Sequence, residues 1–189
     1  MQDRLFSGNH IVLYQQQRAG DVYKRVMRMN KGELEEAESG TLARSMQLTP
    51  LKLDWDSLVS LGQREKRSKA YDSIFDEERE IVEPIYSFEV PYSGSGVLLG
   101  LQPSTSNQLR VDTSVGDDTI AFEIVGADPA QLNRIKEFMN QNAGALNSEL
   151  GAVNEAIETA VQQAVAARNE QLQKNDEGLA AFGVPLKEE

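Results

Sequence analysis

Between residue 128 and about residue 174 the chain carries apolar residues at three- and four-residue steps, on Leu132, Ile135, Met139, Leu146, Leu150, Val153, Ile157, Val161 and Ala164. That spacing lays one apolar stripe along a single long helix. An unbroken helix of roughly 45 residues would be about 68 Å long, well beyond the average globular helix. Such a stripe needs a cover along its length. The cover is either its own second half folded back as a helical hairpin, the rest of the chain, a second copy or another protein, and the spacing leaves these open. Gly144 and Gly151 each cost about 1 kcal/mol relative to alanine in an exposed helix interior, so a bend or turn is expected near 142–148. Asp128-Pro129 supplies the side-chain cap and the first-turn proline of a helix start. Gly178 or Gly183, with Pro185 beyond, is expected to end the helix. The tail that follows, with Leu179, Phe182, Val184 and Leu186, is too apolar to be left in water.

Upstream of this helix the period changes from helical to two. Tyr86, Phe88, Val90 and Tyr92 alternate with other residues, and Val97, Leu99 and Leu101 follow Ser93-Gly94-Ser95-Gly96, which reads as a hairpin with a tight turn. Leu109, Val111 and Thr113, then Ile120, Phe122 and Ile124 across Gly116-Asp117-Asp118, repeat the alternation. Two hairpins predict a four-stranded antiparallel meander over about 84–126 with one apolar face.

The first third is less patterned. A short apolar run at 11–14 precedes a helix expected from Asp21, with Val22, Val26 and Met29 on one face and Gly32 interrupting. A second helical stretch over 33–46 buries Leu34, Ala37, Leu42 and Met46, weakened by Ser39 and Gly40. In LTPLKLDW, Leu51 and Leu53 alternate around Pro50 as in a short edge strand, with Trp55 anchoring it to the core. From 62 to 83 a basic run, REKRSK, meets an acidic one, DEEREIVE, with only Tyr71, Ile74 and Phe75 as a buried triplet. That composition predicts a solvated helix or a linker. The fold class is therefore α+β: an irregular helical region with charged linker (1–83), a small antiparallel β-meander (84–127), and a long amphipathic helix or helical hairpin with an apolar tail (128–189).

Charge and composition exclude several functions. A formal net charge of -11 repels nucleic-acid phosphates and anionic membrane surfaces, both of which bind through Lys/Arg patches. The chain has no cysteine, which removes disulfides, thiolate metal sites and cysteine nucleophiles. Its start lacks a basic segment leading into a long apolar run, and no window approaches the roughly 20 apolar residues of a membrane span. These features predict a cytoplasmic protein with neither a nucleic-acid nor a membrane partner.

The segments VPYSGSGVLLGLQPST and ARNEQLQKNDEGLAAFGVPLK, separated by a hairpin and a long helix, resemble a family of uncharacterised bacterial proteins. That family has a strand ending in VPF-G, a nearby RPST, a long helical region and a closing LGFPL. The resemblance covers roughly residues 84 to 187. The matching positions are Val90, Pro91, Tyr92, Gly94, Pro103, Ser104, Thr105, Gly183, Pro185 and Leu186, with Tyr92 and Gln102 departing from Phe and Arg. The resemblance implies no established activity, only a place among accessory, defence-type bacterial genes.

Chemistry-bearing residues are sparse. His10 is the single histidine, so a multi-histidine metal site is impossible, and no nucleophile motif accompanies it. Asp54, Asp56, Asp72, Asp76, Glu77, Glu78 and Glu80 lie on a polar stretch, not on converging strands with a nearby lysine, and read as a solvated acidic face. The Ser93–Gly96 run lacks the Gly-Lys-Ser/Thr ending of a phosphate-binding loop. Arg64, Lys66, Arg67 and Lys69 are offset by their acidic neighbours within about one Debye length, roughly 8 Å. No catalytic set, metal site or cofactor is expected. The leading expectation is a non-enzymatic interaction or adaptor subunit of a bacterial multi-protein system, with antiphage defence as the setting the resemblance implies. It docks a protein partner or a second copy through Leu146, Leu150, Val153, Ile157 and Val161 on the helix and Phe182, Val184 and Leu186 in the tail. The alternatives are a carboxylate-dependent hydrolase or nuclease using Asp54, Asp56, Asp112 and Glu123, and a module sensing a small ligand between sheet and helix.

Overall fold

Asp128 begins the dominant element as its side chain requires: Oδ1 accepts the Ala130 N–H at 3.0 Å, satisfying a donor that a helix start leaves orphaned. The helix α4 then runs unbroken from Pro129 to Ala181. The computed structural model describes residues 5–38, 40–72, 77–105, 109 and 111–181. No turn interrupts it near Gly144, and it passes Gly178; Gly183, the other expected stop, lies outside the described residues. Gly144 and Gly151 face open space, so their intrinsic cost of about 1 kcal/mol each is outweighed by the stripe, whose buried side chains contribute about 1.5–3 kcal/mol apiece.

The architecture is α+β, and the chain divides into two compact units. The first comprises residues 1–11 and 49–149, the second 12–48 and 150–189. Each is discontinuous in sequence, and α4 contributes residues to both.

In the first unit five strands form an antiparallel sheet: β1 (Lys52–Leu53), β2 (Val59–Asp72), β3 (Glu77–Ser93), β4 (Thr113–Val115) and β5 (Thr119–Val125). The order is β1-β3-β5-β4, with β2 also on β3. This is not the consecutive meander expected. The central strand is β3, and its hairpin partner is β2, in the stretch that composition assigns to a helix or linker. Cross-strand partners Tyr86/Ile124, Phe88/Phe122 and Val90/Ile120 form the apolar face. Phe88 stacks on Phe122 at 5.6 Å, and Trp55 meets Phe122 edge-on at 6.3 Å. The Trp55 indole N–H donates to Asn140 on α4 at 2.8 Å, and Lys136 lies 5.3 Å over the ring, so Trp55 anchors its segment as expected.

The Ser93–Gly96 run also departs from expectation. It is not a hairpin turn, and 97–101 is not a strand: a 3-10 turn spans Gly96–Gly100 and buries Leu98 and Leu99. The cause is non-local. Residues 49–51 cross over Gly94 so closely that a Cβ there would sit 2.1 Å from the Pro50 carbonyl oxygen. Ser95 N–H donates to the Thr49 carbonyl at 3.1 Å, and Thr49 N–H to Ser95 Oγ at 2.8 Å. The second expected hairpin, β4 with β5, is present. Its turn is held by the Tyr92 hydroxyl, which donates to the carbonyls of Gly116 at 3.0 Å and Asp117 at 2.9 Å.

Burial, then the negative charges of Asp117 and Asp118, hold the Tyr92 hydroxyl above its ordinary value of 10.0. Its neutral form is thus favoured by folding. That stabilisation is complete below about pH 10 and is lost as pH rises through the folded-state value. Tyr92→Phe is expected to cost about 1 kcal/mol at neutral pH and to flatten the decline in stability above about pH 10. Urea melts of both proteins at neutral and alkaline pH measure this, and parallel alkaline declines would refute the assignment to Tyr92.

In the second unit three helices accompany residues 150–181: α1 (Ile11–Val26), α2 (Lys31–Glu38) and α3 (Thr41–Met46). Helix α1 starts ten residues before Asp21 and takes in the apolar run. Val22 and Val26 are buried on it. The Asn30 side chain accepts the Glu33 N–H while Glu33 accepts the Asn30 N–H, at 2.9 and 2.8 Å. This reciprocal cap opens α2 despite Gly32. Gly40, at φ +79, separates α2 from α3, and Leu34, Ala37, Leu42 and Met46 are all buried as expected.

Candidate functional site

Leu150, Val153, Ile157 and Val161 are buried in the helical unit, and Leu146 in the sheet unit. The stripe is therefore covered by the chain itself, and these positions serve as core. Asparagines on the same helix fasten the covering segments. Asn147 accepts the Leu51 N–H and donates to the Leu51 carbonyl, both at 2.8 Å. Asn154 does the same to Leu48 at 2.8 and 2.9 Å. Each amide satisfies a donor and an acceptor that would otherwise be stranded in a partly buried segment. Phe182, Val184 and Leu186 lie outside the described residues, as do Ile74, Phe75 and Asp76.

The described parts of the charged stretch, 62–72 and 77–83, instead form paired strands that are largely exposed. Beyond Ile85, where β3 meets Val125 of β5, β2 and β3 continue as a two-stranded ribbon through Asp72 and Glu77. A register shift between Ser60 and Gly62 inserts Leu61 as a bulge, the device that bends a strand away from its sheet. The ribbon is cross-linked by charge. Lys69 pairs with Glu78 at 3.0 Å, Arg67 with Glu80 at 3.7 Å, and at its base Arg64 reaches across β3 to Glu123 at 2.8 Å. Exposed ion pairs contribute at most about 1 kcal/mol each, but here they fix the register of strands that have little apolar face. Tyr71, expected to be buried, is 63% exposed, and Ile81 and Val82 are exposed on opposite faces. The missed signal was complementarity, a Lys/Arg-rich run mirrored by a Glu-rich one, which sets strand pairing without hydrophobic alternation.

Two clefts flank the sheet. One, of about 310 Å³, has apolar walls that include Tyr86, Phe88, Ile124 and Leu132, with Asp128 at its edge. The other, of about 290 Å³, brings Asp112 and Glu123 together with Arg134. Asp54 and Asp56 do not join them: Asp54 accepts the Ser57 hydroxyl at 2.6 Å in the 3-10 turn Trp55–Ser57. Glu123 is already engaged by Arg64 and, at 3.3 Å, by the Ser87 hydroxyl. His10 bridges to Gln102 beside the start of α1. Among the described residues no group of three or more His, Asp or Glu side chains is placed to hold a metal ion, and no helix is long and apolar enough to cross a membrane.

Two positions that carry the family resemblance have clear structural roles, while Gly183, Pro185 and Leu186 lie outside the described residues. Gly94 admits the crossing at Pro50, and Ser104 donates both its N–H and its hydroxyl to Glu149 on α4, at 3.0 and 2.9 Å. Comparisons with protein-family models, with curated proteins and with solved structures found no match.

Proposed function

We propose that this chain is a non-enzymatic protein–protein interaction subunit, and that the β2–β3 ribbon is the surface it offers. The observation that carries the reading is the ribbon itself: among the described residues, 66–72 and 77–83 are strand-paired only with each other. They leave Tyr71, Ile81 and Val82 exposed where a shorter hairpin would complete the same sheet. Long two-stranded extensions present unpaired main-chain groups onto which another chain can add as a strand. The stripe on α4 is a less suitable surface, being filled by the chain's own segments. The bacterial, defence-type setting rests on the sequence resemblance alone.

The test compares affinity capture on the intact protein with capture on a variant whose ribbon is shortened to a tight turn between Arg64 and Ile85. One protein held in stoichiometric amount by the intact chain and lost from the variant, at unchanged melting temperature, is the expected result. Equal capture by both would sink the assignment of the ribbon. Native mass spectrometry of the same preparation addresses the ligand-sensing alternative, which the apolar cleft at Phe88 and Leu132 supports: a retained small molecule, displaced in Leu132→Trp, would favour it.

A further inference from the structure

We propose that the outer edge of β3 over residues 78–83 accepts a basic, extended segment of a partner polypeptide as an added strand. This deepens the interaction reading and rests on it. The Gly126 N–H donates to the Pro84 carbonyl at 2.8 Å, which shows that the main-chain groups of Pro84 face the β5 side of the strand. Main-chain groups alternate along a strand, so those of Val82, Glu80 and Glu78 face the same way. Among the described residues β5 ends its pairing with β3 at Ile85, and no strand pairs with β3 beyond it on that side. A slot about 20 Å long therefore continues the line of β5, at roughly 3.4 Å per residue.

Charge selects the occupant. The slot presents Glu78, Glu80 and Glu83 against Arg79 alone. Charged side chains keep an edge from pairing with its like, and β2 on the opposite side of the ribbon has Lys66, Arg67 and Lys69. The β3 edge has no lysine. It repels an acidic strand and suits a basic one, and the hairpin already contains the complementary pairing: β2 sets Lys69 on Glu78 and Arg67 on Glu80. Those two glutamate side chains remain 65% and 58% exposed, with room for a second cation from the open side. Ile81 is exposed on the face opposite Glu78 and Glu80, so the valines of a strand whose lysines meet those glutamates find apolar contact there.

The experiment measures fluorescence anisotropy of a labelled eight-residue peptide alternating lysine with valine, added to the full-length protein. Matched peptides with glutamate for lysine, or with proline at alternate positions, serve as controls. Val82→Pro is the selective variant, because its N–H faces the slot and not β2, so the hairpin tolerates the ring. The lysine peptide is expected to bind, to weaken as salt rises, and to slow amide exchange at Glu80 and Val82. Val82→Pro and Glu80→Lys should each weaken it by at least about tenfold with the melting temperature preserved. Equal binding to Val82→Pro, equal binding of the glutamate peptide, or ribbon-dependent self-association without peptide binding would overturn the proposal. If the peptide fails to bind while a captured partner is still lost on ribbon shortening, strand addition falls and the interaction reading stands.

Discussion

Ile157→Asp is expected to unfold the helical unit. Ile157 is 0% exposed and sits in the run of buried positions Leu150, Val153, Ile157, Val161, Ala164 and Val165. A carboxylate there has no counter-charge on the stripe and loses its hydration. Both the lost apolar burial and the unpaired charge act against folding, for a total of roughly 5 kcal/mol or more. Whole proteins are stable by only about 5–15 kcal/mol, so the change removes much of the margin. For a chain of this length each kcal/mol corresponds to about 3 °C, so the melting temperature should fall by about 15 °C or helical ellipticity should be lost outright. Glu158→Ala, at the adjacent exposed position, is the control and should stay within about 0.5 kcal/mol. Circular dichroism melts decide the matter, and an unaltered Ile157→Asp melt would mean that the stripe is not core.

Gly94→Ala should be the most damaging single-methyl change. Gly94 has φ +102, a conformation that costs an L side chain about 1–3 kcal/mol by itself. Its Cβ would also lie 2.1 Å from the Pro50 carbonyl oxygen and 2.7 Å from the carbonyl carbon. Backbone cannot rotate aside as a side chain can, so the crossing of 49–51 over β3 would have to open and release its bonds to Ser95. Together these should cost roughly 4 kcal/mol, in the range where single substitutions become exceptional. The same methyl added at Gly144, which faces open space inside α4, should stabilise by up to about 1 kcal/mol. Denaturant titrations of the two variants are expected to move in opposite directions. A Gly94→Ala protein as stable as the parent would show that the close crossing does not form.

Several elements were legible because their signals are local. Asp128-Pro129 announces the start of α4 through the chemistry of a cap. The alternations Tyr86 to Tyr92 and Ile120 to Ile124 announce strands because one sheet face is buried. The buried positions of α2 and α3 follow from helical spacing, and the cap between Asn30 and Glu33 was readable in principle. The ribbon was not legible by the same means. Both its faces meet water, so hydrophobicity has no period there, and a run of alternating cations next to a run of anions is equally the composition of a linker. What pairs β2 with β3 is complementarity across the strands, expressed only once the two are side by side.

The candidate site divides along the same line. The stripe on α4 could be read residue by residue, and its burial follows from its spacing. What covers it could not be read, because Leu48 and Leu51 lie about a hundred positions from the asparagines that clamp them and no local rule links such segments. Gly94 illustrates the remaining case. Its neighbourhood has the composition of a hairpin turn, and the turn was overridden by the passage of Pro50 across it. Local signals established where α4 begins, that 86–92 and 120–124 are extended, and which helical positions need burial, since caps and periodicity act between near neighbours. Which segment covers which face, that β3 is central, and that β2 and β3 pair beyond the rest of the sheet were settled by the tertiary fold. These depend on pairings between distant residues, whose energies exist only after the chain has folded.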